Sequence, residues 1–343
     1  MNWKFQHDMK KSFFILLVVL SFSSVLFAQD AARLHEMGKN YLIDGDYSNA
    51  ETLLLRAHQM DTNSVSIVKD LTLCYYFEKD YRSGLQVIKP LFDKDSADDQ
   101  CFQIAGNLYK SLHQLADCEA LFKKGIQKFP DNGALYNEMG ELLEEQKRPD
   151  AINFWEKGIQ LDPAYSKNYY NAANYYYGIG DYLWSSLYSE IFVNMEPLSK
   201  RTPEVKDHIL DGYRKLLTSF QSGEPEKDKN KFIARIQSIL YNNKDVVTPK
   251  INTATLTMLR TRFNLEWYQE KADKFPFYLF EYHQQLLRDG LFEAYNQWLL
   301  GSSENLIAFQ NWSQLHNQEY YAIVSKIRQQ QFKMPKGQYY QSN

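Results

Sequence analysis

Cysteine is nearly absent: Cys74, Cys101 and Cys118 are the three thiols in 343 residues. An odd number leaves at least one unpaired, so a disulfide framework cannot be the basis of the fold. All three fall on expected helices, where cysteine packs as a small apolar side chain. A redox pair is the alternative, but Cys101 and Cys118 do not stand opposite one another on their hairpin. Catalytic signatures are missing as well. G-x-x-x-x-G-K-[ST], G-x-G-x-x-G, C-x-x-C and H-E-x-x-H do not occur. His35-Glu36 opens the last of these, but Lys39 stands where the second histidine ligand belongs. No metal, no cofactor and no catalytic residue is therefore expected. The chain has no long basic run, and 39 Lys+Arg against 42 Asp+Glu give a net charge of −3. That balance speaks against nucleic acid as the main partner.

Beyond residue 28 no apolar run is long enough to span a bilayer, which takes roughly 20 residues. The first 28 residues differ. Lys4, Lys10 and Lys11 form a basic start, Phe13 to Phe27 is apolar, and Ala28 is a small residue at a cleavage position. This pattern is that of a secretory signal cut near Ala28, with an uncleaved anchor as the alternative. No cysteine near the cut supports a lipid anchor. The mature chain is expected to be exported, to the periplasm if the source is a Gram-negative bacterium.

What the sequence does have is a period. Tyr41, Tyr75 and Tyr109 stand 34 residues apart, as do Asp46-Tyr47 and Asp80-Tyr81. Asp181-Tyr182 follows 101 residues later, the length of two units of 34 and one of 33. Pro130 and Pro163 are 33 apart and Pro163 and Pro197 are 34 apart, so the fourth unit is the short one. Within the first unit, Leu34, Met37, Tyr41 and Leu42 give one helix an apolar face, and Gly45-Asp46 breaks it. Ala50, Leu53, Leu54, Ala57 and Met60 form the inner face of a second helix. Gly38 and Ala50 are small, letting the two axes approach, and the Tyr41 and Tyr47 rings fill the space near the turn. Later units keep these roles, with Gly106 and Gly140 in register with Gly38, and Cys118 in register with Ala50.

Over residues 31–197 the chain resembles the tetratricopeptide-repeat (TPR) superfamily, as an exported bacterial member. It departs from the pattern at Leu34 and Val68, where an aromatic belongs, at Thr72 in place of glycine, and at the shortened turn Lys147-Arg148-Pro149. The resemblance implies an all-α fold, a right-handed superhelical solenoid of helix-turn-helix units with a divergent helical C-terminal region. Residues 29–197 would hold five repeats. It also implies a concave groove lined by the first helices, at positions spaced i, i+4, i+7. Mapped here, these are Gln103, Asn107 and Lys110 in unit three, Asn137, Glu141 and Glu144 in unit four, and Tyr170, Asn174 and Tyr177 in unit five. Amides pair with both N–H and C=O of an extended peptide, and tyrosine adds apolar area with a polar tip. Tyr169, Tyr176 and Tyr182 are assigned to the core. The expected function is a non-catalytic adaptor or scaffold binding a protein or peptide; a merely solvated polar face is the plainer alternative. Carboxylate capture by a Lys/Asn/Arg set is not expected, since His35, Lys39, Lys69, Leu73, Gln103 and Asn107 fill those positions incompletely.

Past Pro197 the register fades but helices continue through residues 198–333. Thr202-Pro203-Glu204 is a helix start, 222–231 a charged linker, and 334–343 a flexible tail. Trp267, Tyr268, Phe280, Tyr282 and Trp298 are expected to build a core here. In this region Glu281, His283, Glu293 and His316 are the candidate acid–base groups. The alternative function makes it an envelope-directed, hydrolase-like enzyme with the repeats as docking arm. It requires His283 or His316 to meet a carboxylate in a cleft. A structural subunit assembling through its ends is a further alternative.

Overall fold

A single backbone feature marks the repeat in space: a residue in the left-handed conformation at Gly45, Lys79, His113, Lys147 and Gly180. The following amide closes each turn by donating to a carbonyl five residues back, on Tyr41, Tyr75, Tyr109, Leu143 and Tyr176. The recurrent tyrosine thus sits where the first helix is terminated. The next residue often begins the second helix: the carboxylates of Asp46, Asp80 and Asp181 accept from the amides of Asn49, Ser83 and Trp184. The Asp-Tyr period is a row of N-caps. Left-handed positions stay 34 apart as far as Lys147, while the helix ends at Phe129 and Asp162 are 33 apart. The missing residue therefore lies between Lys147 and Asp162, where the second helix has 11 residues instead of 14.

Lys79, His113 and Lys147 hold φ values of 55° to 65° with a β-carbon. An L side chain is strained there by about 1–2 kcal/mol, partly offset by the greater unfolded-state freedom of glycine. Lys79→Gly, His113→Gly and Lys147→Gly should each gain about 0.5–1 kcal/mol in urea denaturation. Three neutral or negative results would count against strain at these turns.

The computed structural model describes residues 29–225, 228–248, 250–269 and 274–341. The expected signal peptide lies outside them. Among the described residues there is no strand, and no helix is long and apolar enough to cross a membrane. The chain divides into two units, one ending at Phe129 and one beginning at Pro130, so the division falls inside the repeats and not at Pro197.

The first unit contains α1 (29–44), α2 (Tyr47–Met60), α3 (Val65–Phe77), α4 (Tyr81–Asp93), α5 (Asp99–Ser111) and α6 (Leu115–Lys128). Successive helices pack on one another, burying Leu54, Leu71, Ile88, Phe102 and Phe122. Ala50, Gly84 and Cys118, one repeat apart, are all buried where helices approach. A β-carbon on Gly106 would come 2.2 Å from the Phe122 ring. All three cysteines are buried and none is in a disulfide; burial pushes the Cys74 and Cys101 thiols up to about 12, out of the reactive range. In the first repeat the expectation partly fails. Tyr47 stacks on Phe77 at 5.1 Å, but Met37 and Tyr41 are exposed, because among the described residues no helix precedes α1 to cover them.

The second unit begins with α7 (Gly133–Glu145), α8 (Ala151–Leu161), α9 (Ser166–Ile179) and α10 (Tyr182–Met195), which are repeats four and five. The stack continues past Pro197. α11 (Thr202–Gln221) packs on α10, and Gly212 lets it approach to where a β-carbon would be 3.0 Å from the Ser186 hydroxyl. Then come α12 (Lys231–Asn242), α13 (Thr253–Gln269), α14 (Tyr278–Arg288) and α15 (Phe292–Asn296). A wide turn Gln297–Gly301 and the short α16 (Ser302–Glu304) lead to α17 (Leu306–Leu315) and α18 (Asn317–Gln329). In the wide turn the Trp298 carbonyl accepts from the buried Lys206 ammonium at 2.6 Å. Trp267, Phe280, Tyr282 and Trp298 are buried as expected, with Phe232, Phe263 and Phe277 beside them, whereas Tyr268 is half-buried.

The tail is a correction. Phe332, Met334 and Tyr340 are 4%, 4% and 8% exposed, so residues 332–341 do not fray. Three large apolar side chains within nine residues give that segment enough area to bury to offset its loss of freedom.

Candidate functional site

In the first unit α5 is started by Asp98, whose carboxylate accepts from the Cys101 amide at 3.0 Å. Cys101, Phe102, Ala105 and Leu108 turn inward, leaving Gln103, Asn107 and Lys110 half-buried along the opposite edge. Side-chain contacts join neighbouring repeats here: His35 hydrogen-bonds to Asp70 at 2.7 Å, and Lys69 pairs with Asp98 at 2.6 Å. Lys69 also donates to Gln100. Lys69 is thus already engaged by Asp98 and Gln100, and His35 by Asp70.

In the second unit the predicted positions separate. Asn137 is not on the surface at all; it is fully buried. Its amide donates to Glu141 at 3.0 Å and accepts from Asn171 at 2.9 Å, and Asn171 reaches Glu141 as well. The cause is the side-by-side packing of α7 and α9, which puts position 137 in their seam, where an amide is stable because both its ends are satisfied. Asn168 is also buried, and its amide donates to the Gly133 carbonyl at 2.9 Å. Neither Asn168 nor Asn171 was singled out by sequence, although Asn137 and Asn171 are 34 residues apart.

Glu141 and Asn174 are half-buried and Glu144 is exposed, so these remain on the wall. Partial burial and then the charge of Glu141 raise the Glu144 carboxyl above its ordinary value. The two tyrosines are engaged instead of free. Tyr170 packs on Phe192 at 5.2 Å, with the Arg201 guanidinium 4.5 Å from its ring. Tyr177 stacks on His208 at 4.5 Å, donates to Asp211 and accepts from Lys215 at 3.0 Å. Asp211 stands 34 residues after Tyr177, so α11 takes the place of another first helix and covers this end.

Of the candidate acid–base groups, His283 does meet a carboxylate, though not in a cleft. Glu190 on α10 contacts Arg260 on α13, His283 on α14 at 2.8 Å, and Tyr295 on α15, whose hydroxyl donates at 2.8 Å. Arg260 also donates to Asn296, and Asn194 to the Tyr295 hydroxyl. Burial pushes the Glu190 carboxyl up, but Arg260, His283 and Tyr295 outweigh it and hold it at about 2. Burial lowers His283 below its ordinary value, against the pull of Glu190. The adjoining cavity is about 20 Å³, bounded by Leu187, Tyr213, Ile236, Phe263 and Phe280. That admits about one water and no substrate. His316 stacks on its neighbour Trp312 at 4.5 Å, and Glu281 and Glu293 are exposed. Among the described residues no three His, Cys, Asp or Glu side chains gather as a metal site.

A second buried carboxylate, Glu156 on α8, accepts from the hydroxyls of Tyr176 at 2.8 Å and Tyr188 at 2.9 Å, and also from Tyr339. It lies beside an open cleft of about 420 Å³ lined by Ile152, Asn153, Tyr175, Ile179, Tyr339 and Gln341. Burial raises its pKa from 4.5 to about 7, although the three hydroxyls favour the charged form. A folded pKa above the unfolded one stabilises fully below 4.5, and that contribution is lost as pH rises through 7. Glu156→Gln should therefore match the parent near pH 4 and exceed it at pH 8 by on the order of 3 kcal/mol in urea titrations. Parallel pH profiles for the two proteins would show that Glu156 ionises without cost.

No family model and no curated protein matches the chain. Solved structures similar to it include a thermophilic TPR protein of Thermus thermophilus (14% identity, 55% of this chain and 99% of that one, TM-score 0.42). Others are pilF of Pseudomonas aeruginosa (15% identity, 64% and 92%, TM-score 0.42) and MamA of Desulfovibrio magneticus RS-1 (13%, 50% and 97%, TM-score 0.40). The class follows from the chain's own geometry. Helix pairs recurring every 33–34 residues, a left-handed turn in register and, in units three and four, a glycine against an aromatic ring make residues 31–197 a run of helix-turn-helix repeats.

Proposed function

We propose that the protein is an exported, non-catalytic adaptor that holds a protein or peptide segment on the first-helix walls of its repeats. The observation that carries this reading is the division of labour on those helices. Phe102, Ala105 and Leu108 on α5, Leu135, Met139 and Leu142 on α7, and Tyr169 and Ala173 on α9 are buried, while Gln103, Asn107 and Lys110 in one unit and Glu141, Glu144 and Asn174 in the other keep polar groups at the surface. Such groups exchange hydrogen bonds with an extended main chain, and the two glutamates favour basic side chains on it. Export rests on the basic and apolar N-terminal residues, read by sequencing the N-terminus of the protein in cell fractions, with Gln29 expected first.

Gln103→Ala with Asn107→Ala, and separately Glu144→Ala with Asn174→Ala, should reduce crosslinking capture of a partner from envelope extracts about tenfold. Melting temperatures should stay within about 2 °C of the parent, since these side chains contribute little to burial. Undiminished capture by both variants would remove the walls from the binding reaction.

A further inference from the structure

The C-terminal segment has the properties of a bound peptide. After α18 the chain has no regular secondary structure apart from a turn at Gly337; Phe332 and Met334 are buried between exposed neighbours, and Gln338 to Gln341 are anchored in a row. Phe332 enters between Tyr278 and Tyr282, with ring centroids 5.0 and 5.5 Å away. Gln338 accepts from the Tyr278 amide at 2.6 Å, a donor that the start of α14 leaves without a helical partner. Tyr340 stacks on Phe232 at 4.6 Å, donates to the Pro276 carbonyl at 2.7 Å, and its own carbonyl accepts from Asn230 at 2.5 Å. Tyr339 bonds to Glu156, and Gln341 donates to the Tyr176 hydroxyl. Between these anchors Lys333, Pro335, Lys336 and Gly337 face solvent.

We propose that residues 332–341 are a displaceable strap occupying a peptide-binding channel, for which a partner segment of the same chemistry competes: extended, with spaced aromatic side chains and flanking amides. Two observations support exchange. The anchors are side chains, the Pro276 carbonyl and the Tyr278 amide at the first turn of α14, so the strap can leave while the helices keep their internal bonds. The seat is also larger than its occupant, because the cleft of about 420 Å³ continues beyond Tyr339 and Gln341 over Ile152, Tyr175 and Ile179. This surface is separate from the first-helix walls, so the failure of one proposal leaves the other standing.

The test uses the full chain and a fluorescent peptide with the sequence of residues 331–341, followed by anisotropy. Tyr340→Ala weakens the strap in place and should bind the peptide one-to-one, at least tenfold more tightly than the parent does. A scrambled peptide should not bind. Hydrogen exchange of the parent gives a second readout that needs no variant: amides of 332–341 should exchange at least tenfold faster than those of the α14 interior. The proposal is overturned if the folded variant takes up no peptide, or if strap amides are as protected as α14; the segment would then be a permanent part of the core.

Discussion

Arg260→Ala should lower the free energy of unfolding by about 3–5 kcal/mol, the largest single loss expected in the second unit. The guanidinium is 4% exposed and the Glu190 carboxylate 2%. Removing the cation leaves an anion in the core facing a neutral imidazole and a phenol, shielded from bulk solvent. The carboxyl would respond by taking up a proton, so its pKa should climb far from the value of about 2 that Arg260 now enforces. The penalty should consequently shrink as pH falls. Replacing both partners, Glu190→Gln with Arg260→Met, removes the charge as well as its counter-charge and should cost less than the single change. Urea denaturation of the three proteins decides it. A loss below about 1 kcal/mol for Arg260→Ala would mean that water reaches Glu190.

Gly140→Val should be nearly as damaging, at about 3 kcal/mol or more, for a steric reason. A β-carbon at this position on α7 would sit 2.2 Å from Nε1 of Trp155 and 2.6 Å from its Cδ1. Trp155 is fully buried, so its ring has nowhere to turn, and α7 and α8 must part. Gly178 on α9 supplies the control. Nothing lies within 4 Å of its added β-carbon, so Gly178→Ala should be neutral or stabilise by up to about 1 kcal/mol through helix propensity. If thermal melts of the two variants coincide, the close approach of α7 and α8 is not what fixes glycine in the repeat.

The sequence was legible where one residue does one local job. Asp46, Asp80 and Asp181 stand at helix starts because their carboxylates cap them, and Gly106 and Gly140 are small because a ring crosses them. Turns were legible at Gly45 and around Lys147-Arg148-Pro149 but not at Lys79 and His113, which hold the same backbone conformation at a cost composition does not reveal. The wall positions were read by spacing alone. Spacing places a residue on a helix face but does not say whether the next helix covers that face, which is how Asn137 came to be buried.

By itself the sequence determined the period, the helix boundaries near each cap and turn, and the all-helical class, because these depend on neighbours within about one turn of helix. Tertiary structure alone decided the partners of Glu190, which are 70, 93 and 105 residues away, and those of Tyr340, which stacks on Phe232 and is bonded by Asn230. Charges and rings find such partners only when the packing of several helices has set their distance. No periodic pattern encodes that distance, since it is fixed by the summed shapes of all the side chains between.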